Sequence, residues 1–285
     1  MTDNCFERIL NSIYEKDLSE KKSWYSTVAQ AYDRTRPRYP EALLQQVWEL
    51  AQLPPQARIL ELGCGPGIAT TAFAEQGFRI VALEPSPEAF AIAQHNCQSY
   101  PDIEIINSTF EEYAIPQGSA SQCAPTSFDG ILAASSFHWV APEIRCPKAA
   151  AALKPQGKLI LLWNVPPQPN QAVCEALRAI HEAHEPSLMN VISGRDHREN
   201  LTQFGQELED SGLFTNIVFT HLIAEKTYSV HDYLALLSTL SPYIALDNQT
   251  RQNLFSDLRD TLLKTAGKIF PTTFLAAAHV AQKRV

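Results

Sequence analysis

Short, almost wholly apolar runs recur through the first part of the chain and alternate with stretches of helical pattern. ARILEL (57–62), FRIVALE (78–84), IEIIN (103–107), FDGILAA (128–134) and GKLILLWN (157–164) read as five strands. A strand with one wet face alternates apolar and polar side chains. A run such as KLILLW has no wet face, so both sides must be covered. The intervening stretches can supply that cover. PEALLQQVWELAQL (40–53) lines Leu43, Leu44, Val47, Trp48 and Leu50 along one helical face. IATTAFAEQG (68–77) closes on Gly77, and the next helix takes Ser86 as N-cap with Pro87 at its first position. The pattern predicts an α/β fold, a doubly wound and mostly parallel sheet.

After residue 164 the rhythm changes. VPPQPN is a turn, QAVCEALRAIHEAH (171–184) an amphipathic helix, and NLTQFGQELEDSG (200–212) another. NIVFTHLIAEKTY (216–228) reads as a sixth strand. A helix opening on Ser229 and Asp232 follows, then a longer one with Asp247 as N-cap and the stripe Leu254, Leu258, Leu262. TTFLAAAHVAQKR (272–284) is the last strand. Residues 1–23 form a polar lead-in. Residues 24–285 form one domain, with cap segments at about 165–200 and 225–270.

ELGCGPG (61–67) follows the first strand. In an open parallel sheet, ligands bind beyond the C-terminal strand ends, and the turn after the first strand walls that crevice. Gly63 and Gly65 let the backbone approach a ligand closely. The dinucleotide fingerprint needs a third glycine at 68, where this chain has Ile68. The turn therefore suits a ligand without a diphosphate. Glu84 ends the second strand, 21 positions after Gly63. An acid about 20 residues on can accept hydrogen bonds from both hydroxyls of a ribose. Turn and acid together point to an adenosine-bearing ligand.

The net charge of −8 opposes a nucleic-acid or anionic-membrane partner, since both need positive charge. No run approaches the roughly 20 apolar residues of a membrane span, and the N-terminus lacks a signal-peptide core. Six scattered cysteines without a Cys-x-x-Cys pair suggest a reducing, cytoplasmic setting and no zinc site. HEAHE (181–185) lacks metal-ligand spacing and reads as a solvated helix face. No metal is expected.

ILELGCGPG, VALEPS, FDGILAASSFHWV and LKPQGKLILLWN together resemble class I S-adenosylmethionine-dependent methyltransferases. AQAYDRTRPRYP and STLSPYIALD extend the likeness to the small-molecule, type 11 branch that includes trans-aconitate methyltransferases. The resemblance implies a Rossmann-like sheet of seven strands, the last antiparallel, with helical cap insertions. It implies S-adenosyl-L-methionine as cofactor and a small-molecule methyl acceptor as partner. Glu61, Gly63, Cys64, Gly65 and Gly67 would line its methionine and ribose, and Glu84 with Pro85 the ribose. Ser108, Thr109 and Phe110 would flank the adenine, where many relatives carry an Asp that this chain lacks. Ala134 would complete the cofactor site. Arg36 could pair with the cofactor carboxylate and Tyr32 close over it.

Methyl transfer needs alignment more than acid–base help. The resemblance sets SSFHWV (135–140) beside the methyl group, making His138 a candidate base and Trp139 a candidate substrate contact. Tyr243, in SPYIAL, is a second candidate substrate contact. Other readings are a module that binds the cofactor without turnover, an RNA or protein methyltransferase, and a nicotinamide dehydrogenase.

Overall fold

The computed structural model describes residues 14–115, 127–188 and 197–285. Cys5, Cys123, the first 13 residues of the lead-in and residues 189–196 of the expected cap lie outside the described residues.

Seven strands form one sheet: β1 (Arg58–Leu62), β2 (Arg79–Leu83), β3 (Ile103–Ile106), β4 (Phe128–Ala134), β5 (Leu153–Asn164), β6 (Phe214–Ser229) and β7 (Ile269–Lys283). Their spatial order is β3-β2-β1-β4-β5-β7-β6. The first five pair in parallel, while β7 runs antiparallel to both β5 and β6. The chain starts in the middle, winds out to β3 and returns on the other side of β1. The order therefore reverses between β1 and β4, which is where a ligand crevice opens at the strand tips.

Alternation within the strands divides the core. Leu60, Leu62, Ile131, Ala133, Leu159 and Leu161 face one side, under the helices Pro142–Ala152 and His197–Asp210. Ile59, Ile80, Ala82, Leu132, Ile160 and Leu162 face the other, under Glu41–Ala51 and Ile68–Ala74. Both sets are fully buried, as unbroken apolar runs require.

The expected caps form. Ser86 accepts from the Ala89 amide with Pro87 at the first helical position, and Asp247 accepts from Gln249 and Thr250. Three helices, Val230–Ser238, Ser241–Ile244 and Asn248–Thr265, are inserted between β6 and β7. With Gln171–His184 they bury a separate core of Leu177, Tyr233, Leu237, Tyr243, Leu254, Leu258 and Leu262. This is the cap.

Candidate functional site

A cavity of about 120 Å³ opens at the tips of β1, β2 and β4. Its floor is the 63–66 turn, one wall is Glu84, Pro85 and Ser86, and another is Ser108, Thr109 and Phe110. Ala134, Ser135 and Ser136 close the β4 side, and Trp139 and Val140 stand at the far end.

The turn is built for close approach. Gly63, Gly65 and Gly67 hold φ of 63°, 56° and 89°, a region that side chains disfavour. At Gly63 a Cβ would meet Ser136 Cβ at 3.0 Å, so the turn packs tightly against the β4 tip. At Gly65 a Cβ would meet nothing within 4 Å, because that position faces the cavity.

Glu84 is the pivot. Its carboxylate accepts from the Gly65 amide at 2.7 Å and from the Ser86 amide at 2.8 Å. One acid thus ties the glycine turn to the start of the next helix. Asn107 donates to the carbonyls of Glu84 and Pro85, fixing the backbone beneath it. Burial pushes the Glu84 carboxyl up to about 7, against the two amide bonds. Each of its oxygens has the capacity to accept a further hydrogen bond, and the residue lines the cavity.

Glu61 lies elsewhere than expected. It is fully buried behind the turn rather than on the cavity wall, and it accepts from Thr70 Oγ1 at 2.7 Å. Its Oε1 is buried and unpaired. Burial raises its carboxyl to about 8, helped by the nearby charge of Glu84.

Ser108 and Thr109 line the cavity, but their hydroxyls serve the loop. Ser108 Oγ donates to the Thr109 carbonyl, and Thr109 Oγ1 bonds Glu112 in both directions. The side chain they leave to the wall is Phe110, 3% exposed.

Two candidate contacts are corrected. His138 does not line the cavity; it packs among Trp139, Trp163 and Phe204, with Nδ1 buried and unpaired. Burial, reinforced by Arg145, lowers its ring to about 3, so it is neutral at pH 7 and a very weak base. Tyr243 is fully buried in the cap core, where its hydroxyl donates to His181 Nε2 at 2.8 Å. His181 in turn donates from Nδ1 to the Leu177 carbonyl at 2.7 Å. It is a satisfied core residue, not part of a solvated face.

The lead-in reaches the site. Leu18 and Lys21, with Tyr25 just beyond the lead-in, roof the cavity, and Lys21 donates to the Trp139 carbonyl at 3.2 Å. Tyr25 stacks edge-on against Tyr32 and Trp139, and its hydroxyl bonds Ser241 of the cap at 2.9 Å. Tyr32 lines both this cavity and the one beside it, with Tyr25 against its ring.

A second cavity of about 40 Å³ adjoins the first across Gly63, Gly65 and Ser135. Tyr32, Arg36, Tyr39, Cys64 and Asn164 line it. Arg36 donates from Nε to Thr239 Oγ1 and from Nη2 to the Thr239 carbonyl, both at 2.9 Å. Ser135, at the junction, has φ of 55°, a strained value for a residue with a side chain.

Residues 60–161 match the family model of a methyltransferase domain, Methyltransf_11. Over 141 residues the chain is 33% identical to an uncharacterized methyltransferase of Mycobacterium tuberculosis, covering 49% of this chain and 51% of that protein. The chain thus spans about half the length of this relative. Among solved structures, one from Anaeromyxobacter dehalogenans superposes with a TM-score of 0.61 at 20% identity, over 87% of this chain and 97% of that one. Phosphoethanolamine N-methyltransferase 2 of Haemonchus contortus, in complex with phosphomonomethylethanolamine and S-adenosylhomocysteine, superposes with a TM-score of 0.53 at 15% identity, over 94% and 60%. The fold is the Rossmann-like fold of these methyltransferase structures, and residues 60–161 are the part that is similar to the methyltransferase-domain model.

Proposed function

We propose that this chain transfers a methyl group from S-adenosylmethionine to a small-molecule acceptor by in-line displacement. The observation that carries this reading is Glu84: a buried acid at the β2 tip, locked to the glycine turn and lining a cavity walled by Pro85 and Phe110. The open space before Gly65 and the missing third glycine suit a nucleoside without phosphates. When bound, the donor supplies a methyl group already activated by its positive sulfur, so the protein's share is alignment and exclusion of water.

The residues divide that work. Glu84 accepts from the ribose hydroxyls. Phe110 and Pro85 sandwich the adenine. Tyr25, bonded to Ser241 of the cap, and Tyr32, stacked under the Arg36 guanidinium that donates to Thr239, keep bulk water out. No general base is required of His138, and an acceptor whose nucleophile carries its own lone pair at neutral pH fits best. The narrow roofed cleft and the charge of −8 favour a small acceptor over RNA.

Calorimetric titration with S-adenosylhomocysteine tests the donor site. Binding in the micromolar range is expected, and Glu84→Gln should weaken it about tenfold or more by breaking one of the two amide bonds and a ribose contact. Absence of binding to the intact protein refutes the reading. Release of S-adenosylhomocysteine with an acceptor panel then separates an enzyme from a binding module.

A further inference from the structure

We propose that β6 is a self-association surface: its outer edge adds antiparallel to the same edge of a second copy of this chain, with the two-fold axis at Ile223. The inference is independent of the donor reading above.

β6 stands last in the sheet and, among the described residues, pairs only with β7. Its outer edge therefore presents a row of N–H and C=O groups without a strand partner. At 16 residues it is far longer than the usual strand of about 5–6. Such edges are ordinarily blunted by a proline, a bulge or an outward lysine. Phe214–Ser229 contains no proline. Its irregularity falls between Thr215 and Val218, and from Val218 to Ser229 the ladder with β7 is unbroken. Its lysine, Lys226, turns back into the protomer, where Nζ donates to the Thr35 carbonyl at 3.1 Å. In the middle of this unguarded stretch stands Ile223, 65% exposed.

The order of residues along the strand points to a second copy as the occupant. A two-fold contact is self-complementary, so whatever faces a residue must face it back. Within one continued sheet, residues opposite each other share a face, and a slip by one residue would turn every side chain over. Glu225 and Lys226 lie on opposite faces and so never meet across such an axis. With the axis on Ile223, that isoleucine meets its counterpart, and His221 meets Glu225 on both sides of the axis. Lys226 then lies opposite Thr220. The His221 ring stacks on Phe219 at 5.5 Å, and the side chains of His221 and Glu225 make no hydrogen bond or ion pair among the described residues. Other axes fit worse. On Glu225 or Lys226, like charges face each other; on His221, Leu222 or Ala224, Glu225 faces Ile217, Phe219 or Ile223. Apolar and opposite-charge pairs across strands are stabilising, and like charges directly opposite are not. The Ile223 axis thus gives the exposed isoleucine an apolar neighbour and the glutamate a hydrogen-bond donor.

Sedimentation velocity on the full chain, across the micromolar range, is expected to show a reversible dimer. Ile223→Lys sets two like charges at the axis and should weaken it by about tenfold or more. Because Ile223 is exposed in the protomer, the variant should keep the thermal melt of the dilute wild type. His221→Glu should weaken the dimer as well, and adding Glu225→Lys in the same chain should restore it. Cross-linking supplies a second readout. Under mild oxidation Ile223→Cys should form a covalent dimer, since the residue on the axis lies opposite itself. Thr227→Cys, on the same face but opposite Phe219, should not. A wild type that stays monomeric overturns the proposal. So does a dimer that Ile223→Lys leaves unchanged, which would place the contact on another surface. Equal cross-linking at 223 and 227 overturns the axis, and with it the proposal.

Discussion

Glu61 and Glu84 are both buried, 0% and 6% exposed, yet only Glu84 faces the cavity. Neither meets a cation among the described residues, and the groups facing them are neutral or acidic. Thr70, Cys64, Cys97, Tyr39 and Glu84 surround Glu61; Tyr25, Cys64 and two backbone amides surround Glu84. Burial raises Glu61 from 4.5 to about 8. The native state therefore holds a proton that the unfolded chain gives up above its ordinary carboxylate range. Stability from this group is full below pH 4.5, falls as pH rises, and is lost once pH passes about 8. An amide imitates the protonated acid at every pH. Glu61→Gln should thus flatten the decline: little effect near pH 5, and a gain on the order of a few kcal/mol near pH 8. Urea melts of the free protein at the two pH values check this. Parallel profiles for variant and wild type would place the proton elsewhere.

Among the elements, the helices Pro142–Ala152 and His197–Asp210 share one face of the sheet and are joined by Arg145 and Glu207. Arg145 is 5% exposed; it also donates to the Tyr14 hydroxyl at 2.8 Å and lies over the rings of Phe137 and Phe204. Removing one member of a buried pair strands the other's charge. Glu207→Ala should cost about 2–3 kcal/mol, and more than Arg145→Met, which leaves the half-exposed Glu207 to water and keeps the aliphatic packing. Denaturant melts of both variants decide the order, and the reverse ranking would show that packing by Arg145 outweighs its charge. The same scale shows what the sequence disclosed. The strands were legible because burial on both faces leaves an unbroken apolar run. Ser86 and Asp247 were legible because capping is local chemistry. Tyr243 was not. A tyrosine in a loop-like SPYIAL looks like a pocket residue until its partner is known, and that partner, His181, lies 62 positions away. Asn164 carries no sequence signal for a similar reason: its amide nitrogen bonds Pro37, far off in sequence, while its buried oxygen has no partner. The lead-in carries no sign of its role, since Leu18 and Lys21 reach the site purely by docking.

Across the whole molecule, the site is assembled from three parts that the chain keeps far apart. The strand tips give the floor. The segment from Leu18 to Tyr39 gives the roof. The cap fastens the roof, through Trp24 and Tyr25 to Ser241 and through Arg36 to Thr239. Lys226 and Tyr228 of β6 add bonds to the Thr35 carbonyl at 3.1 and 2.7 Å. A ligand held by the floor and by Arg36 must therefore stabilise the roof and the cap together, although the cap core itself touches no part of the first cavity. Ligand binding contributes about 2.7 kcal/mol at a concentration of 100 Kd, and local opening of any segment the ligand contacts should slow accordingly. Hydrogen exchange read by mass spectrometry, with and without S-adenosylhomocysteine, should show added protection at 63–67 and 84–86. It should also show protection at 24–39 and at 239–244, and these last two should rise in step. Arg36→Gln should uncouple the cap from that response while leaving protection at 84–86 in place. Protection confined to the strand tips in the wild type would mean that roof and cap are fixed before the ligand arrives, and that Arg36 serves the fold rather than the ligand.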